Sequence, residues 1–252
     1  MVDVQMSSAA DKLAPLLIEA HRSGQRIARV PEAARITTQD EAYQVQRSVA
    51  PSIGPVVGWK VGRRADRPAT RAPLYQTRIH QSGVAIDDPQ LQTWIVESEL
   101  MFRFAKPLPI RSEPYSREEV LAAVGGVSPV FEIIESRYAA YPDVEPLLQL
   151  ADGLSHGAMV FGTEVPMPAD ADYTNAHIIY EVDGIVRIDA LGGNPAGDIL
   201  DLLVWTANAG IGLKVGDAIT TGSYTGMPTL APGATAKATF AGVGSVSVTR
   251  SA

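Results

Sequence analysis

Two glutamates one residue apart, Glu97 and Glu99, stand in the apolar stretch Trp94-Ile95-Val96-Glu97-Ser98-Glu99-Leu100-Met101-Phe102-Arg103-Phe104. A third, Glu132, stands in the equally apolar Pro129-Val130-Phe131-Glu132-Ile133-Ile134. Residues i and i+2 of a strand project from one face, so Glu97 and Glu99 would point together. Carboxylates among large apolar side chains are costly unless a proton, a cation or a basic partner compensates them. Oxygen-only ligation of this kind suits a hard divalent cation such as Mg²⁺. The same pattern also fits the solvated face of an amphipathic strand whose other face (Val96, Ser98, Leu100, Phe102, Phe104) meets a core. Glu132, apolar on both sides, shifts the balance toward a site.

Three further constellations carry chemistry. Gly58-Trp59-Lys60-Val61-Gly62 sets one lysine between glycines, as a cation needing close backbone approach would be set, to steady a developing enolate or exchange a proton. The bland alternative is a surface lysine at a strand end. Asp152-Gly153-Leu154-Ser155-His156-Gly157 gathers an acid, a hydroxyl and an imidazole. Adjacent Ser and His make no triad, because a nucleophile and its base must face each other across space. A ligand-contacting loop or an ordinary turn are the two readings left. Thr220-Thr221-Gly222-Ser223-Tyr224-Thr225-Gly226 would offer hydroxyls and N–H groups to a substrate carboxylate, with Ser223 and Thr225 as candidates. His21 and His177 read as structural or exposed, whereas His80 falls in a loop near the candidate residues. Arg137 reads as the partner of some acid.

The elements that must position these groups follow from periodicity. Residues 8–50 read as helical, with Leu13, Leu16, Leu17 and Ala20 at helical spacing, Gly24 as a stop and Thr37-Thr38 as the start of a second helix. From about residue 56, short strand-like runs take over: 56–61, 83–86, 94–104 and 130–134, with a helix over 116–124. Asp183-Gly184 between two alternating runs predicts a hairpin. Asn194-Pro195 is read as opening a helix that Gly210 closes, and strands follow at 217–222, 234–240 and 244–249, with Gly242-Val243-Gly244 as a hairpin turn. Helices do not alternate regularly with strands, which argues against a doubly wound sheet. The expected fold class is α+β, a β-rich catalytic domain (56–252) with a helical N-terminal region (1–55).

Composition limits the function classes. A net charge of −7 argues against a general nucleic-acid binder. The absence of cysteine removes disulfides, thiolate metal sites and cysteine nucleophiles. No leader pattern or apolar run of about 18 residues is present, so a cytoplasmic enzyme without membrane contact is expected.

In their order and spacing, these motifs resemble the fumarylacetoacetate hydrolase superfamily. The branch is that of 2-oxopent-4-enoate hydratase and 2-oxo-3-hexenedioate decarboxylase, and the resemblance runs over nearly the whole chain. It includes Ile36-Thr37-Thr38-Gln39-Asp40-Glu41-Ala42-Tyr43, Phe131-Glu132-Ile133-Ile134-Glu135-Ser136-Arg137, Gly192-Gly193-Asn194-Pro195 and 211–226, besides the segments above. The resemblance implies a mixed β-roll core, a homo-oligomer, and Mg²⁺ or Mn²⁺ held by Glu97, Glu99 and Glu132. It further implies a 2-oxo acid chelated by that ion as Lewis acid, Lys60 steadying or protonating the intermediate, and Ser155 touching substrate or water. The implied activity is hydration of a short 2-hydroxydienoate or 2-oxo-enoate to a 4-hydroxy-2-oxo acid in aromatic catabolism. Decarboxylation of a 2-oxo dicarboxylate, C–C hydrolysis of an acylpyruvate and a catalytically silent binding paralogue are the alternatives. The chain departs from many hydratases at Gly153, where an asparagine is common, and in Pro73-Leu74-Tyr75-Gln76-Thr77-Arg78-Ile79-His80, which lacks an acid. His80 or His156 would then carry protons in their place.

Overall fold

Capping explains where the N-terminal helices begin. In the computed structural model, which describes residues 7–64, 67–167 and 172–252, Ser8 and Asp11 form a reciprocal box at the start of α1 (Ala9–Ser23). Thr38 and Glu41 do the same for α2 (Gln39–Ile53). Gly24 ends α1 in the left-handed conformation, where a Cβ is disfavoured. Their buried faces, including Leu13, Leu17, Val45 and Val49, form one apolar cluster with Leu148 and Leu150.

Strands follow: β1 (Val56–Arg64), β2 (Arg67–Tyr75), β3 (Ile79–Gln81), β4 (Val84–Ile86) and β5 (Ile95–Phe104). After α3 (Arg117–Leu121) come β6 (Val124–Ile134), α4 (Pro146–Ala151), β7 (His156–Phe161) and β8 (Val165–Pro166). The chain then forms β9 (His177–Val182), β10 (Ile185–Leu191), α5 (Leu200–Ala207), β11 (Ala218–Thr220), β12 (Thr235–Phe240) and β13 (Gly244–Arg250). One mixed sheet runs β2-β1-β11-β5-β6-β7-β3, with β8 on β6; a second runs β10-β9-β12-β13-β4. The result is an α+β fold in which a curled sheet packs one face on the second sheet. Val96, Leu100, Phe102, Phe131 and Ile133 from the first sheet share a core with Ile178, Tyr180, Phe240 and Val246 from the second. Phe131 meets Tyr180 edge to face with ring centroids 6.2 Å apart.

The opposite face of the curled sheet carries the acids. Antiparallel register sets Glu97 across from Glu132 and Glu99 across from Val130, while Glu132 also lies across from Met159. Val130 and Met159 belong to a small apolar cluster with Leu74, Met101, Phe161 and Ala218 on that face. The helical layer is tied to the sheet by Gln46, whose buried amide donates to the carbonyls of Leu150 (2.6 Å) and Arg71 (3.2 Å).

Several elements differ from the sequence reading. Strands β2, β3 and β7 go unsignalled, because β2 and β7 carry little polar–apolar alternation and β3 is three residues long. The helix expected from Asn194 begins only at Leu200, after Asp198 accepts the Leu200 N–H. Asp183 and Gly184 both have positive φ, as a two-residue hairpin requires.

Gly58 shows why the glycine before Lys60 is needed. A Cβ there would lie 2.0 Å from the Ala218 carbonyl oxygen, on the parallel pairing of β1 with β11. Gly58→Ala should push these strands apart and destabilise the fold by about 1–3 kcal/mol, read as a Tm lowered by about 2–4 °C per kcal/mol.

Candidate active site

Four strands and two loops converge on one enclosure. Strand β5 supplies Glu97 and Glu99, β6 supplies Glu132, and one carboxylate oxygen from each lies within 4.8 Å of the others. Strand β1 supplies Lys60, whose Nζ donates to Glu132 Oε1 at 2.5 Å and to the Leu154 carbonyl at 3.0 Å. Strand β7 begins with His156, whose Nδ1 lies 3.1 Å from the same Glu132 oxygen. The loop after β11 sends the Gly222 N–H to Glu99 Oε2 at 2.9 Å. Glu99, Glu132, Ser155 and His156 are all buried.

Electrostatics follow from this crowding. Burial is the largest influence on Glu99; with the charge of Glu132 it raises the pKa to about 7 from an ordinary 4.5, against the pull of Lys60 and the Gly222 N–H. Burial also raises Glu132, with Lys60 opposing. For Lys60, burial favours the neutral amine. The carboxylates of Glu132, Glu97 and Glu99 outweigh it, so the ammonium is held above its ordinary value. Burial, then the positive charges of Lys60, Arg78 and Arg137, holds His156 well below its ordinary value. The His156–Glu132 contact is therefore a hydrogen bond from neutral imidazole to carboxylate. A proton on Nδ1 leaves Nε2 a free acceptor, and Nε2 has no hydrogen-bond partner among the described residues.

These residues fit a hard divalent cation. Three carboxylates face a single ammonium, and buried Glu132 Oε2 has no hydrogen-bond partner among the described residues. An ion held by Glu97, Glu99 and Glu132 would use that oxygen and relieve the repulsion that raises Glu99.

The loop Asp152–His156 is built from an uncommon conformation. Gly153, Leu154 and Ser155 have φ of 63°, 55° and 58°, a left-handed turn. It costs about 1–2 kcal/mol for each non-glycine residue. The turn aims the Leu154 carbonyl at Lys60 and leaves buried Ser155 Oγ without a hydrogen-bond partner among the described residues. Gly153 acquires a different meaning here. A Cβ at this position meets nothing within 4 Å, so the conformation favours glycine or asparagine and no contact calls for an amide. In the stretch around Tyr75 that lacks an acid, Leu74 is fully buried in the apolar cluster on the face that carries the glutamates.

Other candidates lie differently. His80 pairs with Val160, and Val160 belongs to the core on the far face of the sheet. Its ring lines a separate cavity of about 400 Å³ with His21, Arg78, Asp88 and Gly157, so His80 is not brought to the glutamates. Ser223 Oγ donates to the Gly226 carbonyl, and Thr225 Oγ1 donates to Ser98 Oγ. The first hydroxyl shapes its own turn, and the second, which also accepts the Ser98 N–H, ties the loop to β5 between Glu97 and Glu99. Asn194 is a positioning group that the sequence reading took for a helix cap. Its amide donates to the carbonyls of Thr221 (2.9 Å) and Gly222 (2.8 Å), fixing the loop that reaches Glu99. Arg137 does pair with an acid, Asp152.

The raised Glu99 gives a signed prediction. The cation-free folded state holds this proton more tightly than the unfolded chain, so the stability Glu99 contributes at low pH is lost as pH rises through 4.5 to about 7. With chelator, Tm should fall between about pH 5 and about pH 8, and Mg²⁺ should restore it. Glu99→Gln should remove most of the Mg²⁺-dependent gain.

Comparison with known proteins finds relatives both in sequence and in fold. The chain is 27% identical over 263 residues to a hydratase of Pseudomonas putida, the TodF product hydratase, covering 97% of this chain and 96% of that protein. It is 30% identical over 156 residues to 2-hydroxyhexa-2,4-dienoate hydratase of Comamonas testosteroni, covering 60% of this chain and 58% of that one. In fold it matches 4-oxalocrotonate decarboxylase of Pseudomonas putida, complexed with magnesium and adipate. That match has a TM-score of 0.81 and 24% identity over 94% of this chain and 95% of the other. The model of the fumarylacetoacetate (FAA) hydrolase C-terminal family matches residues 62–249, and the chain belongs to that family of enzymes.

Proposed function

We propose that the chain is a divalent-metal-dependent lyase, a hydratase that converts a short 2-hydroxydienoate into a 4-hydroxy-2-oxo acid. The observation that carries this reading is the shared enclosure of three carboxylates, a buried ammonium and a neutral imidazole, all meeting at Glu132. The near full-length likeness to a hydratase supports the reaction type, and the likeness to a 2-hydroxyhexa-2,4-dienoate hydratase supports the substrate class. When bound at Glu97, Glu99 and Glu132, a divalent cation supplies Lewis-acid polarisation of the carboxylate and 2-oxo oxygens of such a substrate.

The remaining steps fall to the chain's own groups. Ketonisation takes the proton from the 2-hydroxyl and places one on C5; hydration then puts a hydroxyl on C4 and a proton on C3. Lys60, held charged, offsets the negative charge that builds on the 2-oxygen. His156 Nε2 is the acceptor available to take a proton from water and return it to carbon. The Ser155 hydroxyl, buried beside them, orients that water. A decarboxylase of a 2-oxo dicarboxylate would employ the same groups and differ in its product.

The deciding experiment follows the ultraviolet absorbance of a 2-hydroxydienoate with and without Mg²⁺, with mass identification of the product. A product heavier by one water supports hydration; loss of CO₂ or C–C cleavage would replace it with one of the alternatives. Lys60→Met should lower kcat by about 10²–10⁴-fold.

A further inference from the structure

Arg137 touches none of the groups assigned to chemistry by side chain, yet it spans both ends of the loop that carries them. It is 5% exposed and its partner Asp152 is 2% exposed. Its Nε donates to Asp152 Oδ1, its Nη2 to the Asp152 carbonyl at 2.7 Å, and its Nη1 to the His156 carbonyl at 2.8 Å. The Arg137 backbone N–H and Ser136 Oγ both donate to Asp152 Oδ2 (3.0 and 3.1 Å). Between those two stapled carbonyls lie the left-handed residues Gly153, Leu154 and Ser155. The carbonyls inside the turn are also taken: Gly153 by the His156 N–H, Leu154 by Lys60 Nζ and Ser155 by the Glu135 N–H.

We propose that Arg137 is a positioning residue for this site, clamping the Asp152 and His156 carbonyls so that the left-handed turn presents the Leu154 carbonyl to Lys60. The inference rests on the reading that Lys60 acts in the reaction. A guanidinium suits the task because its planar fork reaches separate acceptors at once, which a single ammonium does not. Leu154 is the residue through which the clamp is felt. Its Cβ opposes the left-handed conformation, whereas glycine adopts that conformation without penalty. A simple buried ion pair would stabilise the fold regardless of which residue stands at 154. The clamp makes the effect of position 137 depend on position 154.

A double-mutant cycle tests this in the full chain. It uses wild type, Arg137→Lys, Leu154→Gly and the pair, each first checked for a cooperative melt. The first readout is kcat and KM on a 2-hydroxydienoate with Mg²⁺. The second is the acetylation rate of Lys60 relative to the exposed Lys12, Lys106, Lys214 and Lys237, by mass spectrometry. Arg137→Lys is expected to lower kcat about 30-fold, leave KM within about 3-fold, and speed Lys60 labelling about 10-fold. In the Leu154→Gly background, the same change should cost less than about 5-fold in kcat and leave labelling nearly unaltered. Equal losses in both backgrounds would overturn the proposal. If Arg137→Lys fails to fold, Asp152→Asn takes its place in the cycle with the same expectations. Should wild type not turn over the dienoate, the functional reading fails by itself, and the labelling cycle still decides the clamp: no coupling between 137 and 154 overturns it.

Discussion

Holding three carboxylates, two of them buried and one half-buried, against one ammonium is the constraint around which this molecule is organised. Ionised carboxyl groups leave water only at a cost of several kcal/mol each, and Glu99 and Glu132 are almost wholly enclosed. Lys60 neutralises part of that charge, the Gly222 N–H another part, and burial raises Glu99 toward the protonated state. The remaining imbalance is what a divalent cation would answer. A group that costs this much to bury is kept for chemistry, and the rest of the fold is arranged to hold it.

That arrangement has two levels. The sheet sets the acids by register, since Glu97 and Glu132 lie directly across from each other on antiparallel strands. Two loops complete the surroundings of the acids. Asn194 fixes the turn that brings Gly222 to Glu99, and Arg137 fixes the turn that brings Leu154, Ser155 and His156 to Lys60 and Glu132. Rigid strands therefore carry the charged groups and His156, whereas loops braced by polar side chains carry the Gly222 N–H, the Leu154 carbonyl and the Ser155 hydroxyl.

Much of this was legible in the chain itself. Glu97 and Glu99 announce a shared face through their spacing, and Glu132 through the apolar residues on both sides. The capping box of α2 and the Asp183-Gly184 hairpin rest on local hydrogen bonds or dihedral demands that neighbouring residues reveal. What stayed hidden depends on contacts distant in sequence. Arg137 looks like any arginine until it meets Asp152, and Asn194 resembles a helix cap until its amide is seen on Thr221 and Gly222. His80 sits close to Lys60 in sequence, but a strand places alternate residues on opposite faces, and its position on β3 turns it to the far one. Gly153 carries no contact signal at all; only its positive φ explains the residue.

The separation of Glu97 from Glu99 is one pleat of a strand, about 6.4–6.8 Å along the chain at about 3.2–3.4 Å per residue. Their carboxylates close to within 4.8 Å only by leaning together. The register irregularity of the β5–β6 pair falls at Arg103/Phe104, beyond the acids, and the pairing from Ile95 to Arg103 is continuous. The backbone thus serves as a fixed ruler for the three oxygens. Loops such as 152–156 and 221–226 can change length or sequence without altering that measure, but one residue added to β5 beside the acids would turn a glutamate to the opposite face. The spacing of the charges is in this sense a property of the pleat, around which the loops are free to vary.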